Sequence, residues 1–544
     1  MAPETDSLFP SSQGGESSLP LGLTLLSGAI AAAVVFPLVW ILANALEVGG
    51  TTAFDLLTRE TTVRVFVNST LLVAVVTAAT IAFAVPLAYL TVRTDLPFKR
   101  FWTVALSMPL VVPSYIGAFA FVSAFGPRGE LQSLLAPLGI EQLPEIYGFT
   151  GAALVMTLYT YPYVFISTRA SLKTMDARLV DAARTLKHSR WEAFRRVTIP
   201  QIRPAVTAGA LLVALYTLSD FGTPAIMRFD VFTKVIYAEQ NSLSTFGQDL
   251  AALLSLQLVI VTFVILAIES RVRGSDTIST QGTSTRGAEV RLGAWKWPAL
   301  ALCLGVAGLA LIVPVGILTA WLIRGGSESA AASLAFQWEY AFNSVGVSAV
   351  AALVAGLAGL PIAYLAVRHR SRASWLIERA SYVGYAVPGV VMGLALVYFG
   401  ARYGGRLYQQ ELILFPLLIF AYVVRFLPQA VGSTRAGFLQ VSPTLSDAAR
   451  TLGRSPVAAF REVTLPLVAP GLLGGALLVF LTTMKELPAT LLLRPTGFKT
   501  LVTHIWSAQA SGHFGHAAIP ALVLVVVSAL SMLVMLAMEG YDVK

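Results

Sequence analysis

Asp181-Ala182-Ala183-Arg184-Thr185-Leu186-Lys187-His188-Ser189-Arg190-Trp191-Glu192-Ala193-Phe194-Arg195-Arg196-Val197-Thr198-Ile199-Pro200 is a polar, basic stretch between two apolar runs of membrane length. It returns from Asp447 to Pro466 as DAARTLGRSPVAAFREVTLP. Thirteen of the 20 positions are identical. A basic segment duplicated in this way implies a duplicated membrane protein that turns two equivalent surfaces toward the same soluble compartment.

The rest of the chain supports the membrane half of that statement. Its 544 residues are 56% hydrophobic and 12% charged, with a mean hydropathy of +0.73, far too apolar for a water-soluble globule. A helix needs about 20 apolar residues to cross the hydrocarbon core. Twelve runs meet that length, near 22–46, 65–91, 101–126, 148–168, 203–226, 250–270, 295–323, 343–367, 378–400, 410–432, 468–492 and 518–539. Stretches such as Leu253 to Ile268 do not alternate in polarity, which excludes the β-barrel. The first 20 residues carry Glu4, Asp6 and Glu16 but no Lys or Arg, so they lack the basic start of a signal peptide and 22–46 is expected to be retained.

With the N-terminus inside, the inner segments hold 26 of the 38 Lys and Arg residues, placing the 169–203 and 433–467 loops in the cytoplasm. Topology thus accounts for the net charge of +9, and nucleic-acid binding is not needed to explain it. The single cysteine, Cys303, falls within a span and excludes a disulfide framework or a cysteine-based metal site.

The duplication extends beyond the opening motif. Asn68 corresponds to Asn343, and Pro86 to Arg93 (PLAYLTVR) to Pro361 to Arg368 (PIAYLAVR), with an offset of 275 (361 − 86). Thr168-Arg169-Ala170 matches Thr434-Arg435-Ala436, and Asp181 matches Asp447, with an offset of 266 (447 − 181). The difference of nine belongs in the outer loop around 127–147, where length is tolerated. The expected fold is therefore an all-α polytopic membrane protein: about twelve transmembrane helices in two parallel six-helix repeats, related by an axis along the membrane normal. Residues 1–20 read as a polar tail, 21–270 as the first repeat, 271–294 as a cytoplasmic linker rich in Ser, Thr and Gly, and 295–544 as the second repeat.

In the second copy of the motif, a helix over Leu445 to Leu452 is expected to end at Gly453, which suits the left-handed conformation of a helix stop. Ser455-Pro456 then supplies an N-cap and a first-turn proline for a new helix. Ala182-Ala183 and Ala448-Ala449 admit a close neighbour, and Leu452, Phe460 and Val463 are expected to form an apolar stripe. This pattern resembles the EAA loop of binding-protein-dependent ABC importer permeases, the cytoplasmic element that seats in a groove of the ATPase subunit. The resemblance makes Asp181, Ala182, Ala183 and Lys187, with Asp447, Ala448, Ala449 and Gly453, the ATPase-coupling residues, and it implies a type I ABC importer permease fold. Lys187 stands where the family has glycine, so the first turn is expected to differ. A pair of amphipathic helices lying on the membrane is the plainer alternative.

The chain has no G-x-x-x-x-G-K-[ST] phosphate loop. The resemblance accordingly implies two copies of a separate cytoplasmic ATPase, which uses ATP and Mg; no cofactor is bound by this chain, and no catalytic residues are expected.

Over nearly its whole length the chain is most similar to iron(III) permeases of the ferric-binding-protein type, most sharply at Lys485 to Pro495 (KELPATLLLRP), with Ser219 to Pro224 and Arg228 as the first-half counterpart. That likeness implies iron(III) delivered by an extracytoplasmic binding protein to a multi-pass protein of the cell membrane. Asp220 and Glu486 hold equivalent places (486 − 220 = 266) within membrane sequence. An acid there costs about 2.5–3.5 kcal/mol on insertion scales and so faces a cavity or a partner. Facing carboxylates on the pathway would suit a hard cation. Equally, Glu486 could pair with Arg425, and Asp220 could cap a helix broken near Pro224. Metal ligands are not otherwise assigned; His513 and His516 in the last outer loop fit a contact face better than a metal site. Thiamine, polyamine, phosphonate or sulfate import on the same architecture is the nearest alternative, then an ion-coupled secondary transporter.

Overall fold

The computed structural model of the chain describes residues 20–125, 146–176, 178–186, 189–242, 245–274, 289–324, 335–369 and 371–538. Lys187, nearly all of the polar tail, most of the outer loop at 127–147 and the central part of the linker lie outside these residues. Among the described residues the regular secondary structure is helical apart from an isolated bridge between Thr94 and Val290. Ten helices among them are long and apolar enough to cross a membrane, or twelve if two bent pairs each count as one span.

Those bent pairs are the third and ninth runs. Lys99–Val111 and Ser114–Phe125 meet at 93°, and Arg372–Ala386 and Gly389–Tyr403 at 101°. Both bends fall at a proline, Pro113 and Pro388, separated by the repeat offset of 275 (388 − 113). The residue before each proline is extended, Val112 with ψ 124° and Val387 with ψ 109°. Proline disfavours the helical conformation of its predecessor, so a continuous apolar run turns a corner there.

The fifth and eleventh runs also differ from straight spans. Their helices, Ile199–Ser219 and Leu465–Met484, stop where the acids begin and resume as the short helices Gly222–Ile226 and Pro488–Leu493.

Side-chain contacts repeat with the sequence. Asn68 donates to the Asp230 carbonyl at 3.0 Å and Asn343 to that of Lys499 at 2.9 Å. Arg93 reaches the Met175 carbonyl at 3.1 Å, and Arg368 the Val441 carbonyl at 2.9 Å. The Tyr89 ring meets Phe194 edge-on at 5.1 Å, and Tyr364 meets Phe460 at 5.6 Å. Equivalent residues therefore make equivalent bonds.

The halves are nonetheless interlocked, because the first helix of each is lodged against the other. Phe36 and Trp40 of Leu21–Glu47 pack edge-on against Phe399, and Glu47 pairs with Arg402 at 3.0 Å. Reciprocally, Trp321 packs on Phe119, and the Tyr159 hydroxyl donates to the Ala310 carbonyl at 3.1 Å. The buried core follows this crossing, with Cys303, Val306 and Ala310 joining Leu106, Phe119 and Tyr161. In lipid, such packing and interhelical hydrogen bonds drive association, since tails and side chains are equally apolar.

A short staple closes the junction between the halves. Asp95 accepts from the Leu292 N–H at 2.8 Å and pairs with Lys296 at 3.1 Å, while Lys99 pairs with Glu289 at 2.7 Å. The Leu292 N–H, and after it the Lys296 ammonium, hold the Asp95 carboxyl below its ordinary value of 3.8. A depressed acid stabilises the fold above its unfolded value, and that contribution is lost as pH falls through the folded one. The protection factor of the amides at 289–296, the intrinsic exchange rate at each pH divided by the observed one, is therefore expected to stay constant from neutral pH down to the ordinary carboxylate range and to fall only below it. Asp95→Ala should lower it several-fold at neutral pH; an unchanged protection factor would show that the staple does not depend on this carboxylate.

Candidate functional site

The two copies of the opening motif form two elbows of the same construction. In the second, Ser442 caps the helix Pro443–Thr451, and Gly453 takes φ +87°. The Gly453 and Arg454 N–H groups close the turn on the Arg450 and Ala449 carbonyls at 3.0 and 3.1 Å. Ser455 then caps Pro456–Ala459 by accepting from the Ala458 N–H at 3.2 Å. In the first elbow, Arg178–Thr185 is followed by a reciprocal cap: Ser189 accepts from the Glu192 N–H at 3.2 Å, and Glu192 accepts from the Ser189 N–H at 2.9 Å. Each elbow enters its span through a widened π turn, Phe194–Thr198 and Phe460–Thr464, just before Pro200 and Pro466.

The paired alanines divide their labour. Ala183 and Ala449 are buried, while Ala182 and Ala448 face outward. Asp181 lies on the first helix of its elbow; Asp447 is exposed, 3.9 Å from Arg450. The expected stripe is split. Leu452 stands out at 85% exposure, with Val457 at 76% beside it, but Phe460 turns inward onto Tyr364. The π turn shifts the helical register, which a constant period cannot anticipate. On the first elbow, Leu186 and Trp191 are the outward apolar residues, 74% and 66% exposed.

The acids sit at the two helix breaks. Glu486, 6% exposed, pairs with Arg425 at 2.5 Å, and its other oxygen accepts from the Ala489 N–H at 3.3 Å, capping the short helix. Gly389 makes room for the pair, since a β-carbon there would lie 2.0 Å from the Arg425 Nη1 and 2.1 Å from the Glu486 Oε1. Asp220 accepts from the Gly222 N–H at 3.1 Å and from the Ser114 hydroxyl at 2.8 Å. The pairing and capping alternatives read from sequence are thus both present. The two acids differ in kind: Arg425 neutralises Glu486, whereas Asp220 makes no ion pair among the described residues.

Three features were not read from sequence. Lys485 points away from Glu486 and donates across the molecule to the Leu110 carbonyl at 3.0 Å, at the C-terminal turn of the bent first-half helix, where a cation is favoured. Ser114 also lies 3.1 Å from the Tyr216 hydroxyl. A small cavity of mixed polarity beside Glu486 is lined by Ser344, Ser348, Thr483 and Thr500 with Val347 and Met484. The register of Pro113 with Pro388 was the available signal for the second, since it brings each bend onto the break after it in the same half. Among the described residues no three His, Cys, Asp or Glu side chains cluster as metal ligands. His513 and His516 are 6.2 Å apart, ring to ring.

Comparison with known proteins matches residues 80–274 and 354–540 separately to one family, described as "Binding-protein-dependent transport system inner membrane component". The chain belongs to this family. As one of these permeases it is the transmembrane subunit of an ABC importer, a multi-pass membrane protein without an ATPase activity of its own, and its family works with an ATPase and a binding protein. The permease is 32% identical over 512 residues to the "Fe(3+)-transport system permease protein FbpB 2" of Haemophilus influenzae, covering 94% of this chain and 96% of that one. It is 26% identical to the "Ferric transport system permease protein FbpB" of Actinobacillus pleuropneumoniae, over 86% and 69% of the two chains. A shorter likeness, 30% over 146 residues, joins it to the "Molybdenum transport system permease protein ModB" of Escherichia coli, over 26% of this permease and 60% of that protein. The two family matches contain both elbows and both helix breaks.

Proposed function

We propose that this permease forms the pathway for iron(III) handed over by an extracytoplasmic binding protein, and that two copies of a cytoplasmic ATPase seat on the 181–200 and 447–466 elbows. The observation that carries the docking assignment is the pair of elbows, each presenting outward an alanine (Ala182, Ala448) and large apolar residues (Leu186 with Trp191, Leu452 with Val457) on a capped scaffold. An exposed apolar patch on a rigid support is the signature of a partner surface. On this reading the first half spans 21–270 and the second 295–544, the termini and linker are cytoplasmic, and closure of the ATPases on ATP moves both elbows together. The permease performs no covalent chemistry; it changes between two conformations with different affinities for the cargo.

Iron is supported by the likeness to ferric permeases along almost the full chain, whereas the molybdenum and sulfate relatives align with 26–37% of it. An oxyanion carrier would be expected to expose basic groups at the helix breaks. Here Arg425 is matched by Glu486 and Lys485 is tied to a carbonyl, while Asp220 is a carboxylate without a counter-ion among the described residues. In the reconstituted complex, ATP hydrolysis should rise several-fold with the ferric-loaded binding protein and remain basal with the apo form. Stimulation by a molybdate- or sulfate-loaded binding protein instead would replace iron as the cargo and keep the importer.

A further inference from the structure

Building on the iron reading, we propose that Asp220, Tyr216 and Tyr115 form a cargo site within the first half, an all-oxygen ligand set for a hard trivalent cation in transit.

Asp220 and Tyr216 are already tied through Ser114, whose hydroxyl is 2.8 Å from the carboxylate and 3.1 Å from the phenol. Tyr115, the next residue, is 5% exposed, and its hydroxyl has no hydrogen-bond partner among the described residues. A buried phenol left unsatisfied is costly and calls for an explanation. The tyrosine packs on the turn after Asp220, since a β-carbon on Gly222 would lie 2.6 Å from the Tyr115 Cβ and 3.2 Å from its Cδ1. The nearby charge of Arg425 is matched by Glu486.

The charges favour a trivalent ion. One carboxylate and two phenolates sum to −3, so an ion of charge +3 leaves the buried site neutral, each phenol giving its proton to water as it ligates. Oxygen donors of this kind suit hard cations. The second half has no such set: the equivalents of Ser114, Tyr115 and Tyr216 are Gly389, Val390 and Thr482 (offsets 275, 275 and 266). The set also spans two interruptions of the helices, Tyr115 lying directly after the Pro113 bend and Asp220 in the break after Ser219. Separation of these two corners would pull the set apart and release the ion.

The test uses the permease assembled with its ATPase in nanodiscs, at rest and trapped with ATP and vanadate, with ferric nitrilotriacetate as the probe. A phenolate-to-iron charge-transfer absorbance is expected in at least one state. It should weaken by about half in Tyr115→Phe or Tyr216→Phe and vanish in the double variant, with Asp220→Asn lowering affinity at least tenfold. Tyr422→Phe, at another buried tyrosine, should leave it unchanged, and melting temperatures check that the variants fold. A missing band in both states, or a band surviving the double variant, overturns the site. Iron-stimulated hydrolysis by the same wild-type complex separates the two claims: stimulation without a band removes the site and keeps iron as cargo. A band without stimulation removes the role in transit.

Discussion

Replacing Gly453 by valine is expected to weaken ATPase association roughly five- to thirtyfold and to reduce ATP-driven uptake in proportion, with the membrane core intact. Apart from its chain neighbours, no described atom lies within 4 Å of the position where a β-carbon would be built, so the effect is one of backbone conformation. At φ +87° a β-branched residue is strained. The left-handed conformation costs about 1–2 kcal/mol for an L-residue, a difference of roughly 5–30-fold in an equilibrium. The valine variant relieves the strain by reopening the turn closed by the Gly453 and Arg454 N–H groups, which moves Leu452 relative to Val457. Gly453→Asn should recover most of the affinity, because asparagine visits this conformation more readily. Equal co-purification of the ATPase with the valine variant and the wild type would show that the turn does not set the docking geometry.

Removing one member of the Arg425–Glu486 pair should produce the largest loss of stability of any single change in the membrane region. Breaking a buried ion pair costs about 3–5 kcal/mol, because the remaining charge is left without a partner. Arg425→Ala and Glu486→Gln should therefore each lower the melting temperature in detergent. The double replacement Arg425→Met with Glu486→Leu should restore much of it, as apolar substitutes for buried pairs often do. Gly389→Ala should act in the same direction as the single variants, since its methyl would enter the space of the guanidinium. If Arg425→Ala melts with the wild type, the pair is not a structural element and Glu486 returns to consideration beside Asp220 as a cargo ligand.

Hydropathy located every long helix because the hydrocarbon core imposes a length on each. It could not distinguish a straight span from a bent one, since Ile116 and Phe119 beyond the 93° corner are as apolar as Leu110 and Val111 before it. The corner was written in Pro113 and Pro388, whose shared offset places them at one point of the repeat. The elbows were legible to the residue at Gly453, Ser455 and Pro456, where local backbone preferences decide the outcome. The partner of Glu486 was legible as a candidate because a buried acid needs one. Lys485 was not, because its acceptor is the Leu110 carbonyl, and every residue carries a carbonyl. Nor was the inward turn of Phe460, which depends on a widened helical turn that no regular period announces.

The exchange of first helices sets the order in which the molecule can be completed during synthesis. Leu21–Glu47 leaves the ribosome 325 residues (372 − 47) before Arg372–Ser381, the start of the bent pair that it will pack against. At roughly 5–20 residues per second this is on the order of 20–60 s. For most of that interval the helix has only lipid and its own half for company, until Trp338–Arg368 of the second half arrives to pack on it. The N-terminal portion is thus a provisional assembly, and its final neighbours arrive only as the ninth apolar run enters the bilayer.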